Sequence, residues 1–198
     1  MLSTPLSRRV SGLVLSGAIA AAGALLPAGP AAAARSKVFN LSSPTIREFG
    51  MLKKKNAGMN AQNKNCVGEN VSPPLRWTNA PANTKSYAIT MYDPAGRGGA
   101  GVVHWIAYDI PASKTGLKEG EATKPSSEFK GGKNQLGMET YFGPCPPFGD
   151  KPHPYVITLI ATDLAPGALQ AGLNKEELDK ALTGHVLGDT TLVLRFGH

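Results

Sequence analysis

From Val38 onward the hydrophobic positions mostly follow the two-residue repeat of extended chain. Residues 86–92 (SYAITMY) put Tyr87, Ile89 and Met91 on one side. They stop at Asp93-Pro94, because the residue before a proline is held extended and proline suits the end of a strand. Residues 102–110 (VVHWIAYDI) are apolar on both sides, which predicts a central strand in a sandwich core, and residues 155–161 (YVITLIA) share the pattern. Residues 190–196 alternate again, with Leu192, Leu194 and Phe196 together, and residues 37–41 predict a short first strand. Polar or glycine-rich connections fill 50–70, 95–101 and 116–137, and Ser72-Pro73-Pro74 turns the chain towards Leu75 and Trp77. One stretch is helical. Residues 173–182 align Leu173, Leu178, Ala181 and Leu182 on a stripe, Asn174 with Glu177 reads as a cap and its capping-box partner, and Gly184 is placed to end the helix. These elements predict a mainly β fold, an antiparallel β-sandwich with a C-terminal helix.

The leader does not share this pattern. Arg8 and Arg9 precede an uncharged apolar run over 10–26, prolines break it, and Ala31 to Ala34 offer an A-x-A-type cleavage site. Residues 1–34 therefore read as a cleaved export signal and residues 35–198 as one domain. An uncleaved N-terminal anchor is the competing reading. Ser7-Arg8-Arg9 resembles a twin-arginine signal, but Ser11 stands where phenylalanine is usual, so the route stays open between twin-arginine and general secretion.

Composition adds limits. A chain of 198 residues, 41% hydrophobic and 18% charged, has room for one full core. Its 23 glycines and 16 prolines favour turns and short strands. The net charge of +7 suits anionic ligands or surfaces, and loss of Arg8 and Arg9 with the leader lowers it to +5. Lys53-Lys54-Lys55 is too short and too poor in aromatics to predict a nucleic-acid site. Cys66 and Cys145 are an even pair in a chain read as exported, so they form either a disulfide or two buried thiols.

The densest punctuation lies at 143–155 (GPCPPFGDKPHPY), where five of thirteen residues are proline. Such a stretch is a stiff loop, either a plain surface turn or the rim of a pocket. It delivers His153 and Tyr155 to the start of a strand. Asp93 ends another strand, and His104 lies inside an apolar one, where burial demands a hydrogen-bond partner. An aspartate and two histidines suit an anion site, a metal site or part of a catalytic apparatus. No H-E-x-x-H pair places two ligands on one face, no G-x-S-x-G elbow is present, and prolines flank Cys145. Neither a P-loop nor a G-x-G-x-x-G turn supports nucleotide binding. No metal, no cofactor and no catalysis is therefore expected.

The run ITMYDP, then HWIAYDIPA at 104–112, then GPCPP followed by HPY at 153–155, resembles the phosphatidylethanolamine-binding protein family. ENVSPPLRW at 69–77, GGKNQLG at 131–137 and the C-terminal GLNKEEL…LTGHVLGDTTLVLRFG are similar to its bacterial, Raf-kinase-inhibitor-like branch. The resemblance spans residues 37–198. It implies a β-sandwich with a small pocket for phosphate-type anions or phosphorylated head groups. It also implies the pocket residues: Asp93, His104, Gly143, Pro146, Pro147, His153 and Tyr155. The family commonly reads D-P-D-A-P after the strand, whereas here Asp93-Pro94-Ala95-Gly96-Arg97 lacks the second acid and gains an arginine. Val103 and Pro154 depart from the family pattern as well.

The resulting expectation is an exported, periplasmic or secreted, non-catalytic protein that binds a small anionic or phosphorylated ligand and can modulate another protein. The alternative is an inhibitor of an envelope or secreted hydrolase, or a kinase-like partner, acting through a surface other than the pocket. Nucleic acid is not an expected partner. Contact with a membrane surface is left open, as is the choice between monomer and homodimer.

Overall fold

The computed structural model describes residues 37–198, and the candidate export signal lies outside the described residues. In chain order the elements are β1 (Asn40–Ser42), β2 (Leu75–Thr78), β3 (Ser86–Asp93), β4 (Val102–Pro111), β5 (Gly116–Leu117), β6 (Lys130–Gly132), β7 (His153–Thr162), α1 (Lys175–Leu182) and β8 (Val186–Phe196). Two antiparallel sheets form. The smaller has the order β1–β2–β5 and the larger β6–β4–β3–β7–β8. The first strand starts at Asn40 rather than at 37, and two short strands, β5 and β6, arise within the connection expected over 116–137. Neither is long enough to leave an alternation in the sequence.

The sandwich core explains the patterns. Leu41, Leu75, Trp77 and Leu117 of the small sheet face Tyr87, Ile89, Met91, Trp105, Ile157, Leu159, Leu192, Leu194 and Phe196 of the large one. The second face of β4 is apolar because α1 covers part of the sheet: Ala88, Ile106 and Tyr108 pack with Leu178 and Leu182. The helix starts as its sequence dictates. The Asn174 side chain accepts from the Glu177 amide at 3.0 Å, and the Glu177 carboxylate accepts from the Asn174 amide at 2.9 Å. Gly184 follows the end of the helix at φ 82°, a left-handed geometry that glycine adopts without penalty.

Candidate functional site

Three inward-facing rows of the large sheet run out of apolar residues at one end of the sandwich. Asp93 continues the row Tyr87, Ile89, Met91 on β3. His153 begins the row Tyr155, Ile157, Leu159 on β7. The register Tyr92↔Val156, continued one step, sets Asp93 opposite Tyr155 with His153 on the diagonal of the same face. The third contributor needs an irregularity. Met91 pairs with Trp105 but Tyr92 pairs with Val103, so His104 has no partner on β3. This bulge turns His104 away from strict alternation, and its ring meets Tyr155 edge-on at 5.2 Å.

The three side chains line one cavity of about 330 Å³, together with Arg97, Val102, Phe142, Pro146 and Pro147 among others. Within it both oxygens of the Asp93 carboxylate accept hydrogen bonds. Its Oδ1 accepts from the amides of Ala95 and Gly96 at 2.9 and 3.0 Å. Its Oδ2 accepts from His153 Nδ1 at 2.8 Å. The carboxylate thereby holds Nδ1 of His153, and the other ring nitrogen, Nε2, faces the exposed Asp150 carboxylate, with Oδ2 3.5 Å away. Each histidine of the pair is held by an acceptor. His104 donates from Nδ1 to the Phe142 carbonyl at 3.0 Å, so its Nε2 is left over. Burial pushes the His104 pKa below the usual histidine range, against the opposing pull of the Phe142 carbonyl and Asp93. Near neutral pH this ring is therefore neutral, and its free nitrogen carries a lone pair.

The proline-rich loop forms the opposite wall and is tied down at several points. Asn70 Oδ1 accepts from the Gly143 amide at 2.8 Å, and Asn70 Nδ2 donates to the Tyr141 carbonyl at 2.8 Å. Gly58 donates its amide to the Pro144 carbonyl at 2.9 Å. At the chain end, the His198 ring stacks on Phe148 with centroids 3.8 Å apart, and its Nε2 donates to the Pro146 carbonyl at 3.0 Å. A disulfide joins Cys66 to Cys145 across this wall, with Cα atoms 4.8 Å apart.

Two expected pocket residues do not line the cavity. A Cβ on Gly143 would sit 2.0 Å from the Asn56 carbonyl oxygen, so this glycine serves close backbone approach. Tyr155 lies fully buried beneath His104. Its hydroxyl has no hydrogen-bond partner among the described residues, and burial, with Asp93 nearby, raises its pKa well above the usual phenol value. Conversely, sequence reasoning assigned no role to Asn60, Asn63, Asn134, Gln135 and Leu136, which do line the cavity. Asn134 organises its loop: Nδ2 donates to the His104 carbonyl at 3.0 Å, and Oδ1 accepts from the amides of Leu136 and Met138 at 2.9 and 3.1 Å. The available signal was Asn134 closing a turn that ends at Gly137. No local signal marked Asn60 or Asn63.

The family model for phosphatidylethanolamine-binding proteins matches residues 42–197. The chain belongs to the phosphatidylethanolamine-binding protein family. An archaeal relative in the UPF0098 group, from Methanothermobacter thermautotrophicus, is 38% identical over 130 residues, which is 65% of this chain and 83% of that protein. The crystal structure of Escherichia coli YbcL, described as a member of the mammalian PEBP family, superposes with a TM-score of 0.72 at 28% identity. It covers 81% of this chain and 98% of YbcL. The similarity is thus to the bacterial branch of the phosphatidylethanolamine-binding proteins, and the chain is a binding protein of that kind. LppC of Mycobacterium tuberculosis, described as a candidate lipoprotein, is 38% identical over 107 residues, 52% of this chain and 51% of LppC.

Proposed function

We propose that this phosphatidylethanolamine-binding-protein-like chain is exported and non-catalytic, and that its cavity holds a phosphate-type anion or a phosphorylated head group. The convergence of His104 and the Asp93-held His153 on one cavity, with Arg97 at its exposed rim, carries this reading. In its imidazolium form His153 keeps Nδ1–H on Asp93 and gives Nε2–H to the anion in place of the exposed Asp150 carboxylate. The Arg97 guanidinium has no ion-pair partner among the described residues and offers a planar fork of donors. Neutral His104 accepts a hydrogen bond at Nε2 from the hydroxyl of a protonated phosphate, or becomes a donor there once protonated itself. Asp93, bonded through Oδ2 to Nδ1, acts by orienting His153. Export is supported by the leader pattern, by the disulfide and by the likeness to LppC.

Each charge-assisted hydrogen bond contributes on the order of 1.5–3 kcal/mol, so losing one weakens binding roughly ten- to one-hundred-fold. Calorimetry with phosphate, sulfate and phosphoethanolamine tests the proposal. Saturable one-to-one heat with at least one of the three supports it, and no heat with any of them refutes it. A second reading has an observation of its own. Met59, Leu136 and Phe148 are exposed, and each lines the cavity or adjoins a residue that does, a suitable rim for a protein partner. Capture of an envelope protein that survives His153→Ala but not Leu136→Asp would favour that reading.

A further inference from the structure

The hairpin over residues 58–68 forms part of the cavity wall through Asn60 and Asn63. Its own hydrogen bonds are local. Asn60 donates to the Cys66 carbonyl, Cys66 to the Asn63 carbonyl, Asn63 to the Asn60 carbonyl and Gly68 to the Gly58 carbonyl. The side chains of Asn60 and Asn63 accept from Gln62 and Asn65. Among the described residues, no hydrogen bond runs from 59–67 to the rest of the molecule. Burial tells the same story, since Cys66 is the one buried residue in 59–67. A segment with no outside hydrogen bonds and no buried apolar side chain of its own has little local stability. What holds this wall in place, beyond its base at Gly58 and Gly68, is the bond from Cys66 to Cys145.

Access to that bond is one-sided. Cys66 is only 5% exposed, whereas Cys145 is partly exposed and lines the cavity. A thiolate must approach a disulfide sulfur directly, so the attack falls on Cys145 Sγ from the cavity.

We propose that the Cys66–Cys145 disulfide is a redox latch on the cavity wall, opened from the cavity by a dithiol reductant and completing the ligand site when formed. The effect on ligand rests on the anion-site reading above, and the effect on the hairpin does not. The reductant thiolate bonds to Cys145 Sγ and Cys66 leaves as a thiolate. The reductant's second thiol then displaces Cys145, which also leaves as a thiolate. The dithiol gives up two electrons and becomes a disulfide, and two protons end on the cysteines. The freed hairpin carries Asn60 and Asn63 away from the cavity. A bound anion stands in the path of the attacking thiolate, so ligand and reductant oppose each other.

The test compares the oxidised protein with the same protein in dithiothreitol, and with the Cys66→Ser, Cys145→Ser double variant. Hydrogen exchange is followed peptide by peptide, and phosphate affinity by calorimetry. On reduction the amides of 59–67 should exchange at least tenfold faster while β3 and β7 stay protected, and phosphate affinity should fall at least fivefold. Saturating phosphate should slow reduction by a similar factor. Unchanged exchange over 59–67 overturns the latch, and so does loss of protection throughout β3 and β7, which would make the bond a global staple. If the hairpin loosens as expected but oxidised protein binds no phosphate, the latch stands and the anion reading fails.

Discussion

Asp93 shows how one side chain organises the cavity. It is buried, and its carboxylate takes two amide protons and one imidazole proton. Asp93→Ala leaves those donors without an acceptor, and the cost should be about 3–5 kcal/mol in a urea unfolding experiment. Asp93→Asn keeps an acceptor for the amides and should cost less. Arg97 is the contrasting case. It is exposed and holds φ 54°, a left-handed geometry that costs a non-glycine residue some energy. Arg97→Gly should leave stability within about 0.5 kcal/mol, yet weaken binding of sulfate or phosphate at least tenfold.

His104 links the site to pH. Its pKa in the folded chain lies below the ordinary histidine value of 6.5, so the unfolded chain takes up the proton first. Its contribution to stability is complete above that value and is lost as pH falls towards the depressed folded value. Denaturant midpoints from pH 7.5 to 5 should fall less for His104→Asn than for the natural protein. Sulfate, whose charge is constant over this range, should bind more tightly as pH drops through the same window.

At the scale of elements, much was legible and the omissions have physical causes. The capping box at Asn174 and Glu177 and the rows through Tyr87 and Leu192 are local patterns, and the structure contains them. Asn174→Ala should cost about 1 kcal/mol, read from thermal or urea unfolding. The bulge at His104 is not local, because it depends on how β4 registers against β3. The strands β5 and β6 are held by partners distant in sequence. Gly143 was expected at the pocket because it opens the proline-rich loop, yet it is required by the Asn56 carbonyl pressed against it. Gly143→Ala should therefore cost about 1–3 kcal/mol through overpacking, with anion affinity largely kept in the folded fraction.

For the whole molecule, the sandwich places its apolar rows so that they end together, and the polar residues at those ends become a site. The stiff loop of 143–152, braced by His198, and the hairpin of 58–68 wall it in. That convergence joins residues far apart in the chain, 60 positions for Asp93 and His153 and 79 for Cys66 and Cys145, and only the ordered resemblance to the phosphatidylethanolamine-binding proteins made it readable beforehand. The most direct measurement is titration calorimetry of phosphoethanolamine and phosphate into the natural protein and into His153→Ala at pH 6.5. Saturable binding that weakens at least tenfold in the variant is the predicted result. An affinity unchanged by His153→Ala would contradict the assignment of this cavity as the anion site.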